Sequence, residues 1–184
     1  LGIIYKDERP QTPQTFAAAV APLVRSLKMR LILEPGRFIV GNAGALVTQV
    51  LYVKQSRQKR FVVVDAGMND LLRPALYGAY HEVVPVEGAG GLRNGHGRYD
   101  VVGPICESAD VLARDRALGA VVAGQLLAVL GAGAYGSTMS SNYNGRLRPA
   151  EVLVRGSRWA VIRRRETLHD LVRHDVVPSS LVRP

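Results

Sequence analysis

The chain has 184 residues, of which 47% are hydrophobic and 21% charged, and its formal net charge is +9 at pH 7. This balance is that of a globular chain able to bury a core, and it excludes intrinsic disorder. No run of about 18 or more uncharged apolar residues is present, and the first thirty residues contain several charges, so we expect neither a membrane span nor a signal peptide.

The positive charge raises the alternative of a nucleic-acid-binding module. Basic residues cluster at 57–60 and 163–165. Both clusters adjoin apolar, strand-like runs, and neither has aromatic residues spaced for stacking on bases. This alternative therefore ranks below a small-molecule function.

The single cysteine, Cys106, cannot form an intrachain disulfide. We therefore expect a reducing, cytoplasmic setting. Without a histidine partner at catalytic spacing, a lone cysteine is by itself more typical of a small buried hydrophobic residue. No metal site is expected, because metal-ligand spacing is absent from the four histidines, His81, His96, His169 and His174.

In chain order, Thr12 and Pro13 are a typical helix N-cap and first helical residue, and apolar residues then recur at helical spacing. A short apolar run predicts a buried strand at 31–33, and a helical turn is predicted at 38–43. Beyond Gly44, β-branched runs bounded by turn residues predict strands, at residues 46–53, 61–64, 99–102, 126–130, 151–154 and 159–162. A short helix follows at 166–172.

This change of character predicts two domains, residues 1–44 with helix, strand and helix, and residues 45–184, which are mainly β. A lone parallel-type strand cannot pair its own backbone donors and acceptors, so residues 1–44 are expected to need partners beyond themselves. The glycine-rich stretch 88–97 lacks an apolar pattern and predicts a surface loop.

Five segments place polar side chains near an apolar strand end, and the first four also contain glycine: EPGR at 34–37, DAGMNDLLRPALY at 65–77, GPICESAD at 103–110, GAYG at 133–136 and SNYN at 141–144. In this order they resemble the C-terminal motifs of diaminopimelate decarboxylases, within the wider family of pyridoxal-phosphate-dependent ornithine, arginine and diaminopimelate decarboxylases. The resemblance covers nearly the whole chain.

The resemblance implies a TIM-type α/β barrel that holds pyridoxal 5'-phosphate, followed by a mainly β C-terminal domain, a sandwich or barrel. Residues 1–44 would be the last part of the barrel and residues 45–184 the β domain. The implied enzyme is a carbon–carbon lyase that converts meso-2,6-diaminopimelate to L-lysine, the last step of lysine biosynthesis.

The implied cofactor-binding residues lie at two places in the sequence. A turn made of Glu34, Pro35, Gly36 and Arg37 would face the cofactor phosphate, which suits backbone donors and a guanidinium. Tyr135 would contact both the cofactor and the substrate.

The implied substrate-binding residues are of both charges. Arg37 and Arg73 would bind the distal carboxylate of the substrate, with Tyr77 and Tyr135 beside them. Glu107 would bind the distal ammonium. Diaminopimelate has an amino-acid group at each end, so a selective site needs both charges, whereas an ornithine-type site needs only carboxylates there.

Cys106 is implied to be the acid that donates a proton after carbon dioxide leaves. A thiol suits this role because it is protonated at neutral pH. In the family the loop with this cysteine reaches into the neighbouring subunit, so the resemblance implies a homodimer in which Cys106 and Glu107 complete the partner's site.

The chain departs from the family in one important respect. The Schiff-base lysine lies in an early barrel motif that this sequence does not contain, and none of Lys6, Lys28, Lys54 and Lys59 matches it. We therefore expect the chain to be a C-terminal fragment that is inactive alone. A smaller departure is Gln125, where the family usually has aspartate after glycine.

Two alternatives from the family remain open. The chain could be a non-catalytic, decarboxylase-like dimerisation or regulatory module, although such a module has no use for Arg37, Arg73 and Cys106. It could also belong to an ornithine, arginine or carboxynorspermidine decarboxylase. No role is predicted for the tail after Asp175.

Overall fold

A computed structural model of the protein describes residues 1–86 and 97–182. The loop predicted at 88–97 thus lies outside the described residues except for Gly97. The chain divides into two compact units, Leu1–Ser140 and Ser141–Pro184. The domain boundary predicted near Gly44 falls within the first unit, and the assignment of residues 1–44 to a barrel stays a prediction.

In the described residues the helices are α1 (Pro13–Ser26), α2 (Gly36–Val40), α3 (Arg73–Tyr77), α4 (Gly136–Met139), α5 (Leu168–Val172) and α6 (Ser179–Val182), with 3-10 turns at Gly41–Ala43 and Tyr143–Gly145. The strands of the same residues are β1 (Leu46–Gln55), β2 (Arg60–Val64), β3 (Val83–Pro85), β4 (Arg98–Val102), β5 (Val111–Ala117), β6 (Leu126–Val129), β7 (Glu151–Arg155) and β8 (Arg158–Arg163). The strands predicted from residue 46 onward are confirmed, whereas β3 and β5 are additional.

The first unit is built around a six-stranded mixed sheet with the order β3-β6-β1-β2-β4-β5. The β2–β4 pair is parallel, and the other pairs are antiparallel. Three consecutive residues of β2, Val62, Val63 and Val64, are buried. Because successive side chains of a strand point to opposite faces, both faces of the sheet are covered at β2.

The strand predicted at 31–33 is wrong as a strand of this structure. In the part of the chain that is described, these residues pair with no neighbouring strand, and Ile32 is 70% exposed. A strand is stable only when adjacent strands take up its backbone hydrogen bonds, and none of the described strands of this unit does so. The helical turn predicted at 38–43 is confirmed by α2 and the 3-10 turn that follows it.

The described part of the second unit contains a 3-10 turn, the β7–β8 hairpin and two short helices, α5 and α6. The hairpin pairs Arg155 with Arg158 across a two-residue turn that contains Gly156, whose φ of +60° suits a tight hairpin. Thr167 caps α5, since its hydroxyl and the carboxylate of Asp170 form a reciprocal capping box. Across the described residues, no helix is both long and apolar enough to cross a bilayer.

Candidate active site

The segment that leads into α3 is fixed by hydrogen bonds and by one apolar anchor. Asp65 accepts hydrogen bonds from the Thr48 hydroxyl at 2.5 Å and from the backbone N–H of Gln49 at 2.8 Å, which ties the segment to β1. Leu71 is fully buried in the core. The position of Arg73, two residues later, is therefore set by the sheet.

The helix α3 is only one turn long, and it presents two predicted residues together. It begins at Arg73 and ends at Tyr77, after which Gly78 adopts a left-handed φ of +61°. The N–H of Gly78 donates to the carbonyl of Pro74 at 3.0 Å, which is a typical way to end a helix. Residues four apart lie on the same helix face, so Arg73 and Tyr77 point the same way.

Arg73 is a buried cation. Its side chain is 8% exposed, and among the described residues it forms no ion pair with a carboxylate. The guanidinium carbon lies 4.6 Å from the ring centroid of Tyr5 and 5.8 Å from that of Tyr135. Cation–π contacts offset only part of the cost of burying a charge, so the site favours an added anion.

His81 is hydrogen-bonded to the guanidinium of Arg73. Its Nδ1 lies 2.9 Å from the carbonyl oxygen of Leu130, and its Nε2 lies 3.1 Å from Nη1 of Arg73. A carbonyl only accepts and a guanidinium only donates, so Nδ1 carries the proton and Nε2 is the acceptor. Burial is the main cause that lowers the pKa of His81, and the charges of Arg73 and Arg116 lower it further. The ring is therefore neutral.

Tyr135 brings the two predicted arginines together. Tyr135 is 39% exposed, and the guanidinium carbon of the exposed Arg37 lies 5.2 Å from its ring centroid. The backbone of Tyr135 has a left-handed φ of +65°, a conformation that costs a bulky residue about 1 kcal/mol or more. Such strain in a residue between two cations is typical of functional sites.

A cavity of about 390 Å³ opens at this point. Four of the predicted site residues line it, together with a methionine that was not predicted: Arg37, Arg73, Tyr77, Tyr135 and Met139. Two guanidiniums and two phenols provide hydrogen-bond donors for a carboxylate or a phosphate. The chemistry that this cavity supports is therefore the binding of a small anionic ligand.

The other residues of the predicted cofactor turn lie outside this cavity lining. The carbonyl of Glu34 accepts a hydrogen bond from the N–H of Gly36 at 2.9 Å, which closes the turn before α2. Apart from its chain neighbours and the backbone of α2, no described atom lies within 4 Å of the position that a Cβ on Gly36 would take. The turn formed by Glu34, Pro35 and Gly36 is thus bordered by open space.

Cys106 and Glu107 lie on a loop that is held by Asp110. One carboxylate oxygen of Asp110 accepts from the N–H of Ile105 at 2.8 Å, and the other accepts from the N–H of Met68 at 2.6 Å. Asp110 is 3% exposed, whereas the thiol of Cys106 is exposed and is not a core residue. The structure does not bring Cys106 or Glu107 to the cavity lined by Arg73.

Both basic clusters contain charges that are paired within the chain. Lys59 forms an ion pair with Asp100 at 2.7 Å, and Arg163 pairs with Glu151 at 2.5 Å. Such pairing leaves less charge available to a phosphate backbone, which weakens the nucleic-acid alternative. Where side chains are described, no group of three His, Cys, Asp or Glu residues could hold a metal ion.

Sequence comparison decides the family. The family described as "Pyridoxal-dependent decarboxylase, C-terminal sheet domain" matches residues 4–133, which is well over half of the chain. This chain belongs to the pyridoxal-dependent decarboxylases. Membership confirms the predicted fold class and implies pyridoxal phosphate as the cofactor of the family.

Individual pyridoxal-dependent decarboxylases are also similar to the chain. The diaminopimelate decarboxylase of Zymomonas mobilis is 44% identical over 95% of this chain. A crystal structure of diaminopimelate decarboxylase from M. jannaschi is 40% identical over 99% of the chain, with a TM-score of 0.91. The Helicobacter pylori enzyme complexed with L-lysine is 41% identical over 94%, with a TM-score of 0.85.

The chain spans less than half the length of these decarboxylases. It covers 41% of the Zymomonas relative and 42% of each of the two crystal structures.

Proposed function

We propose that the protein with this chain is a diaminopimelate decarboxylase, which releases one carboxyl group of meso-2,6-diaminopimelate as carbon dioxide and leaves L-lysine. The observation that carries the proposal is the buried guanidinium of Arg73, which lies at a cavity and pairs with no described carboxylate. A ligand carboxylate supplies the missing anion. The relatives named diaminopimelate decarboxylase, one of them complexed with L-lysine, support this choice of ligand.

The end of the substrate that does not react is bound by the cavity residues. That end carries a carboxylate and an ammonium. Arg73 and Arg37 donate hydrogen bonds to the carboxylate, and the Tyr77 hydroxyl lies beside them in the lining. A substrate without this carboxylate leaves two cations unpaired, which disfavours ornithine-type substrates and the corresponding alternative enzymes.

Pyridoxal phosphate fits the residues at the Glu34–Arg37 turn through its anionic phosphate. The turn offers the exposed guanidinium of Arg37 and open space over Gly36. When bound, the cofactor supplies an electron sink for the bonding pair that carbon dioxide leaves behind. None of the four lysines lines the cavity, so none of them is proposed to hold the cofactor covalently.

Cys106 is the proposed acid, and its thiol donates its proton to the carbon that has lost carbon dioxide. Glu107 binds the distal ammonium. Both residues are exposed and neither lines the cavity of its own chain, which supports a homodimer in which they act in the partner's site. The single cysteine and the small-molecule chemistry support a cytoplasmic location as part of the same proposal.

The proposal is tested by carbon dioxide release from meso-diaminopimelate with added pyridoxal phosphate. The 184-residue chain is compared with a chain extended upstream to the start of its reading frame. Activity is expected in the extended chain only. Cys106→Ala should lower its kcat by on the order of a hundredfold, and Arg73→Gln should raise its KM by roughly tenfold or more.

The exposed Arg155 at the β7–β8 turn provides a matched control, since Arg155→Gln removes a guanidinium outside the proposed site. Activity on ornithine or arginine in place of diaminopimelate would contradict the substrate assignment and favour a related decarboxylase. An extended, folded chain without activity on any of these amino acids would favour the non-catalytic dimerisation module.

A further inference from the structure

We infer that His81 is a positioning residue that sets the specificity of the distal-carboxylate subsite by holding the Arg73 guanidinium with a neutral acceptor. The inference rests on the proposed function, because it assumes that Arg73 binds the carboxylate that distinguishes diaminopimelate and lysine from simple diamines. It adds a residue that does not itself line the cavity.

The first support is the hydrogen-bond geometry. The imidazole is the only hydrogen-bond partner of the Arg73 side chain among the described residues, through the 3.1 Å contact between Nη1 and Nε2. A guanidinium has five N–H donors, so this contact leaves the others for a ligand. The contact therefore orients the guanidinium, and the N–H groups that it does not engage can bind a ligand.

The second support is rigidity. His81 is fully buried and lies two residues before β3. The residue between them, Glu82, accepts a hydrogen bond through its carbonyl from the N–H of Leu130 at 2.8 Å. The Tyr5 ring packs edge-on against the imidazole, with 5.3 Å between centroids, and also stacks on the Arg73 guanidinium. An arginine held in this way loses less side-chain freedom when a ligand binds.

The third support is charge. A carboxylate in place of the imidazole would hold Arg73 as firmly, but it would neutralise the guanidinium and compete with the ligand carboxylate. A neutral imidazole accepts the same hydrogen bond and leaves the full positive charge for the ligand. A histidine at position 81 thus orients Arg73 without neutralising its charge.

The test uses L-lysine and cadaverine, which differ only by the carboxylate that Arg73 is proposed to bind. Calorimetry on the extended chain with its cofactor gives the two Kd values, and their ratio measures selectivity for the carboxylate. His81→Gln keeps a neutral acceptor and should retain most of the preference for lysine. His81→Leu removes the acceptor, and His81→Glu adds a negative charge, so both should lower the preference by roughly tenfold or more.

A matched control is available at an exposed arginine–histidine pair. The Nε of Arg173 donates to Nε2 of His174 at 3.2 Å, which is the same chemistry without burial. His174→Leu should leave the lysine-to-cadaverine ratio unchanged. An equal fall of the ratio in this variant would overturn the assignment to His81.

The outcomes separate the two proposals. If the unaltered enzyme binds lysine and cadaverine equally well, the carboxylate role of Arg73 fails and the proposed substrate fails with it. If the unaltered enzyme prefers lysine and folded His81→Leu keeps that preference, only the inference about His81 is overturned.

A measurement on the unaltered enzyme covers the case in which His81→Leu does not fold. Protonation of His81 places an N–H against the N–H of Arg73, and the charged groups that face the ring are Arg73 and Arg116, with the Tyr5 phenol packed on it. Burial holds the pKa of His81 below its ordinary value of 6.5, so the preference for lysine should persist at mildly acidic pH and fall only as the pH approaches that lowered pKa. No such fall is expected in His81→Gln. A preference that stays constant with pH in both proteins would overturn the inference.

Discussion

At the scale of single residues, two features of the proposed site are energetically unfavourable in the chain itself. Arg73 is a buried charge without a described counter-ion, and Tyr135 has a strained backbone beside it. Neither feature helps the chain to fold. Both are understandable if the residues are selected for what they bind.

The Arg73–His81 contact can be measured as a coupling energy in the 184-residue chain. His81→Leu leaves the guanidinium without its acceptor and should lower the free energy of unfolding by about 1–3 kcal/mol. Arg73→Met leaves Nε2 of His81 unpaired but also removes a buried charge, so its loss should be smaller. The double variant removes both partners and should lose less than the two losses together. Urea unfolding of the unaltered chain, the two single variants and the double variant gives the coupling energy. The corresponding variants of the exposed Arg173–His174 pair should show no coupling.

The pH dependence of stability follows from the same histidine. Burial and the two guanidiniums hold the pKa of His81 below 6.5, its ordinary value, so at mildly acidic pH the unfolded chain binds a proton that the folded chain does not. The stability that the neutral ring contributes is complete above about pH 6.5 and is lost as the pH falls toward the folded pKa. Urea midpoints should therefore drop on mild acidification, and this drop should be smaller in His81→Gln.

A carboxylate provides the contrast in that experiment. The N–H of Arg148 is the main cause that lowers the pKa of Glu166 from 4.5, so its contribution is lost only at more acidic pH. A drop that is equally large in His81→Gln would contradict the assignment to histidine.

The sequence predicted the four polar residues that line the cavity, because each lies in a short motif that resembles the family. It did not predict His81 or Tyr5 as neighbours of Arg73. These contacts join residues from the N-terminal stretch, α3 and the edge of the sheet, and they depend on packing that no local pattern encodes. The only signal was that His81 follows an apolar-aromatic stretch, which is not specific.

At the scale of elements, Asp110 is the main connection between the two segments that carry the proposed chemistry. Its carboxylate accepts from Met68, before α3, and from Ile105, before Cys106. Gly103 is required at this point, because a Cβ there would lie 2.3 Å from a carboxylate oxygen of Asp110. Asp110 therefore links the loop that carries Cys106 to the segment that leads into α3.

Asp110→Asn should separate these segments. An amide keeps one accepting oxygen but turns a donor toward the other N–H, so we expect a loss of about 2 kcal/mol in the free energy of unfolding. Amide exchange at Met68 or Ile105 should accelerate. The exposed Asp115, which pairs with Arg98, is the control, and Asp115→Asn should change neither measurement appreciably. Unchanged exchange at both amides in Asp110→Asn would contradict the connecting role.

The two strands that the sequence did not predict, β3 and β5, are the edges of the sheet. Edge strands are often short, or carry proline and charge, which protects them from pairing with other chains. The short β3 ends in Pro85, and β5 contains Arg114, Asp115 and Arg116. Their hydrophobic pattern is weak for this reason, whereas the central β2 shows its buried valines directly in the sequence.

At the scale of the whole molecule, the described residues differ greatly in burial. The hydrophobic core of the first unit includes buried residues of β1, β2, β4 and β6. By contrast α1 has no buried residue, and both faces of the β7–β8 hairpin are exposed along most of its length. A two-stranded hairpin without a packed face is marginally stable in water.

Hydrogen exchange on the 184-residue chain should show this contrast. Amides of β2 should exchange slowly, and those of α1, β7 and β8 should exchange many times faster, because few buried contacts oppose local opening. In the extended chain, slower exchange in α1 would indicate that the added residues cover it. Strong protection of α1 in the 184-residue chain alone would contradict the expectation that residues 1–44 need partners.

The left-handed backbone of Tyr135 also matters to anyone who engineers this protein. A search for stabilising substitutions would select glycine at this position, because glycine adopts a φ of +65° without strain. The resulting protein would score well in a thermal screen, yet it would lack the aromatic ring that lies between Arg37 and Arg73. Libraries selected for heat resistance should therefore keep position 135 constant.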